Sequence, residues 1–277
     1  ELSWTIAVLI FIGLLAKSAT LPLYIWLPRA YHVAPAPVCA LLSGVTENLG
    51  VVVFFKLFVQ TVHAPEGFMV FTAALGIMSS IVAAGVALGR PTIRELLAYS
   101  TVSQLGFIFL GLAIAGYYGI VGGLLYVLAH ALAKAGLFFT AGVVEETTGT
   151  EELEKLGGFY RRAPVLAGAA ALLVLSMIGL PPMLGFFAKV VLVIAAVREN
   201  LLLGVGAIVA ALFTVLYMSR LYVRMFLGPE RTVPVRGVSG FVVGLVGVLA
   251  TASIATGLTW FLIARYLEPA LAGVIGS

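Results

Sequence analysis

The chain has 277 residues, of which 62% are hydrophobic and only 10% are charged, and its mean hydropathy is +1.15. Soluble globular domains carry about 25% Asp, Glu, Lys and Arg, so this chain lacks the charge to cover a water-facing surface. The composition predicts an integral membrane protein and argues against a soluble enzyme or a nucleic-acid-binding domain. The net charge of +4 is typical of the Lys and Arg excess in cytoplasmic loops, which explains it without nucleic acid.

Residue types that form metal or redox sites are scarce. The single cysteine, Cys39, excludes an internal disulfide and a cysteine-rich metal or iron–sulfur site, and the three histidines lie far apart in the sequence. No glycine-rich phosphate loop, catalytic pair of carboxylates or Ser/His/Asp set is visible. We therefore expect no cofactor, no metal site and no redox or hydrolytic centre in this chain.

A helix that spans a bilayer needs about 20 apolar residues. Eight runs meet this requirement, and we predict an all-α polytopic membrane protein of about eight transmembrane helices. The predicted spans are Trp4 to Leu27, Ala36 to Val62, Phe68 to Leu88, Leu96 to Ala115, Ile120 to Val144, Val165 to Val197, Leu201 to Phe226 and Val238 to Ile263.

Basic residues predict the orientation of these spans, because cytoplasmic loops are rich in Lys and Arg. Eight crossings leave only Arg198 and Arg265 on one side of the membrane. The other side holds ten basic residues and is predicted to be cytoplasmic: Arg29, Arg90, Arg94, Lys155, Arg161, Arg162, Arg220, Arg224, Arg231 and Arg236.

Prolines interrupt two of the predicted spans, the first at Pro22 and the sixth at Pro181 and Pro182. A proline frees a backbone carbonyl that lipid cannot satisfy, so we expect each break to line a polar cavity or to be buried in protein. Lys17 and Lys189 adjoin these breaks. Because the two spans are five apart, the second unit is inverted relative to the first, which predicts part of an inverted-repeat architecture.

Ionisable residues within the predicted spans mark a candidate ion path. A charge near the bilayer centre costs roughly 2.5 to 3.5 kcal/mol and usually faces the interior of a helix bundle. His130 and Lys134 are four residues apart and share one helix face, so a proton could pass between them through a water molecule. The candidate path consists of Lys17, Glu47, His130, Lys134 and Lys189.

Alternative interpretations remain open for several polar residues. Lys56 lies near the end of its span, where a lysine usually extends its amine to the membrane surface. Glu47 is either a relay acid or the counter-ion of a neighbouring lysine. Ser100, Ser103 and Gln104 form a polar face that either lines water or bonds neighbouring helices.

Four stretches of the chain resemble one family, the antiporter-like, proton-conducting subunits of respiratory complex I, Mrp-type sodium/proton antiporters and membrane-bound hydrogenases. The stretches are KSATLPLYIWLPRAYHVAPAPVCALLS from Lys17 to Ser43, RELLAYSTVSQLG from Arg94 to Gly106, HALAKAGLFF from His130 to Phe139, and LGGFYRRAP from Leu156 to Pro164 followed by GLPPMLGFFAK from Gly179 to Lys189. Their order and spacing agree with the family from the first span to the seventh.

The resemblance implies the second half of a longer subunit, with another chain or segment supplying the first half. It implies that residues 1–65 end a first repeat, residues 66–226 form a second five-helix repeat and residues 227–277 add a C-terminal helix. Family members commonly carry a lysine or histidine near the position of Glu47 and Asn48, and an acidic residue is frequent where Arg29 stands. The glutamate that pairs with the family's first broken-helix lysine would precede Glu1.

Three functional hypotheses follow. The first is an ion-translocating subunit of a larger membrane complex, which moves protons, or sodium against protons, along the candidate path. The parent complex would then be an ion-pumping oxidoreductase or an antiporter, with lipid and other membrane subunits as its partners. The second is a non-conducting structural subunit of such a complex, which Asn48 favours. The third is an independent solute carrier with a substrate pocket at the membrane midplane.

Overall fold

The computed structural model describes residues 4–231 and 236–275, which form eleven α-helices and no strand. This confirms the all-α prediction. In chain order the helices are α1 Trp4–Lys17, α2 Trp26–Val33, α3 Ala36–Thr61, α4 Glu66–Leu88, α5 Ile93–Ala113, α6 Tyr117–Thr148, α7 Pro164–Ile178, α8 Leu184–Glu199, α9 Leu201–Phe226, α10 Gly240–Leu258 and α11 Trp260–Ile275.

Six helices in the described part of the chain are long and apolar enough to cross a membrane, namely α3, α4, α5, α6, α9 and α10. The helices on either side of the predicted breaks are shorter. In the first predicted span, α1 ends at Lys17 and α2 begins at Trp26, with Pro22 between them. In the sixth, α7 ends at Ile178 and α8 begins at Leu184, with Pro181 and Pro182 between them.

The predicted span from Val238 to Ile263 corresponds to α10, which is long and apolar enough to cross a membrane. This helix ends at Leu258, earlier than expected, and a further helix, α11, begins at Trp260. The apolar run continues through this boundary, so hydropathy alone gives no sign of it. The backbone leaves the helical region at Thr259, just after Gly257, and both residue types are weak helix formers.

Helix α3 is one continuous helix that contains two π-helical stretches, Leu42–Thr46 and Phe55–Thr61. A π-helical turn leaves backbone carbonyls displaced from their usual partners. The Asn48 side chain satisfies two of these carbonyls, since its Nδ2 donates to the Gly44 oxygen at 2.9 Å and to the Ser43 oxygen at 3.3 Å. The first π stretch therefore fixes the orientation of the Asn48 amide.

Helix α5 lies at the centre of the described bundle, and nearly all of its residues are buried. Its contact with α4 is close because small residues meet there. A Cβ atom on Gly76 would lie 2.6 Å from the Gly106 carbonyl oxygen. Ser80 and Ser103 exchange hydrogen bonds, each hydroxyl donating to the other's carbonyl oxygen at 2.6 and 2.9 Å. Ser103 thus bonds a neighbouring helix, one of the two roles that its sequence position allowed.

Candidate functional site

Lys134 is fully buried on α6 and faces α5. Its Nζ donates to the Leu97 carbonyl oxygen at 2.8 Å and to the Ser100 hydroxyl. Both acceptors are electrically neutral. An amine held in this way keeps hydrogen-bond partners without being fixed as one half of an ion pair, which is an arrangement suited to a group that gains and loses a proton.

His130 lies one turn before Lys134 on the same face and is also fully buried. Its Nδ1 is 3.2 Å from the Asn48 side-chain oxygen. Because the Asn48 nitrogen already donates to two carbonyls, the oxygen faces His130 and can only accept, so Nδ1 carries the proton. The Nε2 atom is buried and has no hydrogen-bond partner among the described residues. The ring therefore presents a free acceptor inside the bundle.

Glu47 lies beside Asn48 on α3 and is fully buried. Its carboxylate accepts from the Tyr31 hydroxyl, which is 2.7 Å from each carboxylate oxygen. Tyr31 is itself fully buried on α2, where its ring packs edge-on against Phe138. The close partner of the carboxylate is thus a hydroxyl on the helix that follows the first break, not a lysine amine.

Lys189 occupies the second break. Its Nζ donates to the carbonyl oxygens of Met177 at 2.6 Å and Ile178 at 3.4 Å. In an uninterrupted helix these two carbonyls would accept from the N–H groups of residues 181 and 182, but both positions are proline and have no N–H. The prolines therefore free the two carbonyls that the lysine uses.

The stem of Lys189 lies against Gly179, whose φ of 89° is in the left-handed region. A Cβ atom on Gly179 would lie 3.0 Å from the Lys189 Cδ. A glycine here lets the chain turn sharply after α7 and leaves room for the lysine stem.

A buried polar cluster lies between Lys189 and the Lys134 layer. The Lys189 Nζ is 5.5 Å from the centre of the Tyr126 ring. The Tyr126 hydroxyl donates to Gln104, and Gln104 in turn donates to the Tyr217 hydroxyl and, at 3.1 Å, to Thr214. The cluster joins α5, α6 and α9.

Sequence reasoning singled out Gln104 but missed Tyr31, Tyr126, Thr214 and Tyr217. For Tyr126 a signal was present, since it precedes His130 by four residues and so shares the face of His130 and Lys134. Ser100 and Gln104 are four residues apart on α5 in the same way. Two polar stripes therefore face each other across the contact between α5 and α6.

Lys17 and Lys56 differ from the other intramembrane charges because both are exposed on the surface of the described chain. Lys17 is the last residue of α1 and stands at the edge of the first break. The exposure of Lys56 agrees with an amine that extends toward the membrane surface. The structure thus places Glu47, His130, Lys134 and Lys189 in the interior and Lys17 outside it.

A crevice of about 480 Å³ opens beside the end of α2. Its polar lining residues are Arg29, His32, Glu95 and Tyr99. Glu95 stands five residues before Ser100, an acceptor of Lys134, on α5. Its Oε2 is buried and has no hydrogen-bond partner among the described residues.

Arg94 binds the C-terminal end of α2 next to this crevice. Its Nη1 donates to the Ala34 carbonyl oxygen at 2.8 Å, and the guanidinium forms ion pairs with Glu145 and, at 3.6 Å, with Glu151. Burial raises the pKa of the Glu151 carboxyl above its usual 4.5, and the Arg94 charge partly opposes that rise. Arg94 thus connects α2, α5, α6 and the loop that follows α6.

The Arg94→Gln variant should be less stable than the wild type. Its stability should also fall more steeply than that of the wild type as pH rises. A carboxyl with a raised pKa in the folded state stabilises the fold below its unfolded pKa and loses that contribution as pH rises through the folded value. Removing the Arg94 charge raises the Glu151 pKa in the folded state further. The loss of folding stability above about pH 4.5 is therefore larger in the variant. Thermal unfolding of the purified membrane protein at pH 5 and pH 8 measures this. In a Glu151→Gln background the extra pH dependence should disappear, and its persistence there would assign it to another group.

Comparison with known proteins gives a consistent result. The family model described as "NADH:quinone oxidoreductase/Mrp antiporter, TM" matches residues 2–214. The chain is 36% identical over 233 residues to an NADH-quinone oxidoreductase subunit of Desulforudis audaxviator, covering 80% of this chain and 46% of that protein. It is 32% identical over 231 residues to a Na⁺/H⁺ antiporter subunit of Alkalihalophilus pseudofirmus, covering 82% and 46%. The chain thus spans about half the length of these curated relatives.

Solved structures agree in fold. The chain superposes on a chain of the Mrp complex from Dietzia sp. with a TM-score of 0.90 and 24% identity, covering 98% of this chain and 60% of that one. It superposes on a chain of respiratory complex I from Thermus thermophilus with a TM-score of 0.89 and 25% identity, covering 98% and 59%.

Proposed function

The chain belongs to the NADH:quinone oxidoreductase/Mrp antiporter transmembrane family, and from this membership we propose that it is an ion-translocating subunit of a larger respiratory or antiporter complex in the cell membrane. The observation that carries the proposal is the burial of two lysines, Lys134 and Lys189, whose amines donate only to neutral oxygens in the described contacts. Burying such charges is expensive, and their hydrogen bonds do not remove the charge.

The proposed path runs from Glu47 and Lys134 through His130 to Lys189. The free Nε2 of His130 and the Gln104–Tyr126 pair supply polar atoms between the two lysines. Charge on one buried lysine disfavours charge on the next at low effective dielectric. A change of charge in a neighbouring subunit could therefore load and release ions in sequence. Lys17, at the edge of the first break, is proposed to connect this path to an adjoining chain or segment.

The arginine-rich end of the bundle is proposed to face the cytoplasm. Contacts among its loops support a single basic end, since Arg224 bonds Glu154 at 2.7 Å and Arg220 bonds the Arg90 carbonyl oxygen at 2.8 Å. Arg198 lies instead over the Tyr118 ring, close to the cavity that Arg265 lines. The loops with Arg29, Arg90, Arg161 and Arg231 would then be cytoplasmic.

The two helix breaks support the proposed repeat organisation. In both, one helix ends, proline follows and a second helix begins; Lys17 ends the helix before the first break, and Lys189 lies in the helix after the second. We assign residues 1–65 to the end of one repeat and residues 66–226 to a second five-helix repeat, with 227–277 as a C-terminal addition. The missing repeat partner would come from another membrane subunit or segment.

A scaffold subunit is the second candidate. Asn48 stands near the position where relatives carry a relay lysine or histidine, and in this chain its amide bonds its own helix. Such a subunit would pack between conducting neighbours without moving ions. Transport by variants of the assembled complex separates the two candidates.

The decisive experiment measures ion pumping by the intact complex in proteoliposomes, with and without Na⁺. In Lys189→Met we expect pumping to fall at least about tenfold, since a positioned proton-transfer group is worth about 10² to 10⁴ in rate, while the driving reaction continues. Lys56→Met is the matched control, because the same side chain is lost from an exposed position. Unchanged pumping by an assembled Lys189→Met complex would favour the scaffold, and a Na⁺ requirement would identify the ion.

A further inference from the structure

Helix α10 closes the second break, although it lies beyond the residues that the family model matches. At Gly257 its backbone lies directly against the non-helical segment between α7 and α8. A Cβ atom on Gly257 would lie 2.1 Å from the Pro182 carbonyl oxygen and 2.7 Å from the Leu184 nitrogen. No side chain fits there unless the break itself moves.

A second contact joins α10 to the end of α7. The Ser253 and Ser176 hydroxyls are 3.0 Å apart, and both residues are buried. Ser176 immediately precedes Met177, whose carbonyl oxygen accepts from Lys189. The Ser176 carbonyl also lies against Gly185 in the first turn of α8, at 1.9 Å from where a Cβ atom would be. The serine pair and Gly257 therefore hold the break from its two ends.

We propose that Ser253 and Gly257 of α10 are positioning residues that keep the Met177 and Ile178 carbonyls aimed at the Lys189 amine. The inference rests on the proposed function and adds to it an element that governs the second break from outside the matched family region. Carbonyl acceptors favour the charged amine over the neutral one. Displacing them should therefore move the pH dependence of translocation toward lower pH.

The chain offers matched controls on α10 itself. A Cβ atom on Gly247 would have nothing within 4 Å, so Gly247→Ala adds the same atom to open space. Thr251 bonds only carbonyls of its own helix in the described contacts, at 2.9 and 3.0 Å, so Thr251→Val removes a hydroxyl without touching α7. Ser253→Thr keeps the hydroxyl that faces Ser176.

The experiment records the pH profile of ion pumping by the intact complex in proteoliposomes. We expect Ser253→Ala and Gly257→Ala to shift the profile by about half a pH unit or more, and Gly247→Ala, Thr251→Val and Ser253→Thr to keep the wild-type profile. Profiles of Ser253→Ala and Gly257→Ala that coincide with those of the controls would overturn the proposal.

Two further outcomes separate this proposal from the function on which it rests. If Lys189→Met stops pumping while both α10 variants keep the wild-type profile, the positioning role alone fails. If Lys189→Met pumps normally, both the proposed function and the positioning role fail. If Gly257→Ala prevents assembly, the comparison of Ser253→Ala with Ser253→Thr tests the positioning role. A shifted profile in Ser253→Ala and a wild-type profile in Ser253→Thr would assign the shift to loss of the hydroxyl and not to a packing defect.

Discussion

Replacing Lys134 by Met should reduce ion translocation by the intact complex at least about tenfold, and by about 10² to 10⁴ if Lys134 is an obligatory proton carrier. The reason is its position. The amine is fully buried and bonds Ser100, and His130 lies one helical turn along α6 toward the Gln104 cluster. Proteoliposome pumping measures the loss, with the driving reaction followed in parallel to show that the complex is assembled.

Lys134→Met should not lower thermal stability, although it lowers transport. A buried charge replaced by an apolar side chain of similar volume is often neutral or stabilising, because the desolvation cost disappears. We therefore expect a thermal midpoint for Lys134→Met equal to or above that of the wild type. Lys155→Met is the control for the substitution itself, since Lys155 is exposed and pairs with Glu152 at 2.6 Å. Loss of transport together with a lower midpoint would mean that Lys134 acts mainly in folding.

The second break shows how much of the site follows from sequence. Consecutive prolines necessarily free the carbonyls four residues before each of them, and Lys189, early in α8, is the nearest lysine or arginine in the sequence. The position of Lys189 at the break was therefore predictable. The contact with α10 was not, because a serine and a glycine in an apolar helix carry no distinctive signal in one sequence.

The first break shows the limit of the same reasoning. Lys17 adjoins the first break as Lys189 adjoins the second, and the same interior position was predicted for both, yet Lys17 is exposed on the described chain. Burial depends on which helices pack against the break, and hydropathy does not report packing. The Tyr31–Glu47 bond was missed for a related reason, since it joins residues on two helices that meet only after the chain turns between α2 and α3.

Three polar residues of α5, Ser100, Ser103 and Gln104, have two different roles, which the helical spacing in the sequence alone did not distinguish. Ser103 exchanges bonds with Ser80 on α4, whereas Ser100 and Gln104 face α6 and the buried lysine layer. The backbone approach of α4 to α5 therefore sets where the acceptor of Lys134 and the Gln104 cluster lie. Any change that pushes these two helices apart should affect both stability and transport.

The Gly76→Ala variant tests that dependence. A methyl group there would lie 2.6 Å from the Gly106 carbonyl oxygen and 2.9 Å from the Leu110 nitrogen, and these are backbone atoms that cannot turn aside. We expect a destabilisation of about 1 to 3 kcal/mol, as found for overpacked interiors, measured as a lower unfolding midpoint of the purified protein in detergent.

Gly85→Ala on the same helix is the matched control, because a methyl group there would meet nothing within 4 Å. Since Ala is a better helix former than Gly by about 1 kcal/mol, this control should be neutral or slightly stabilising. The difference between the two variants isolates the helix contact from helix propensity. If Gly76→Ala unfolds at the same midpoint as Gly85→Ala and keeps full transport, α4 and α5 can separate without cost, and the acceptors of Lys134 would not depend on their close approach.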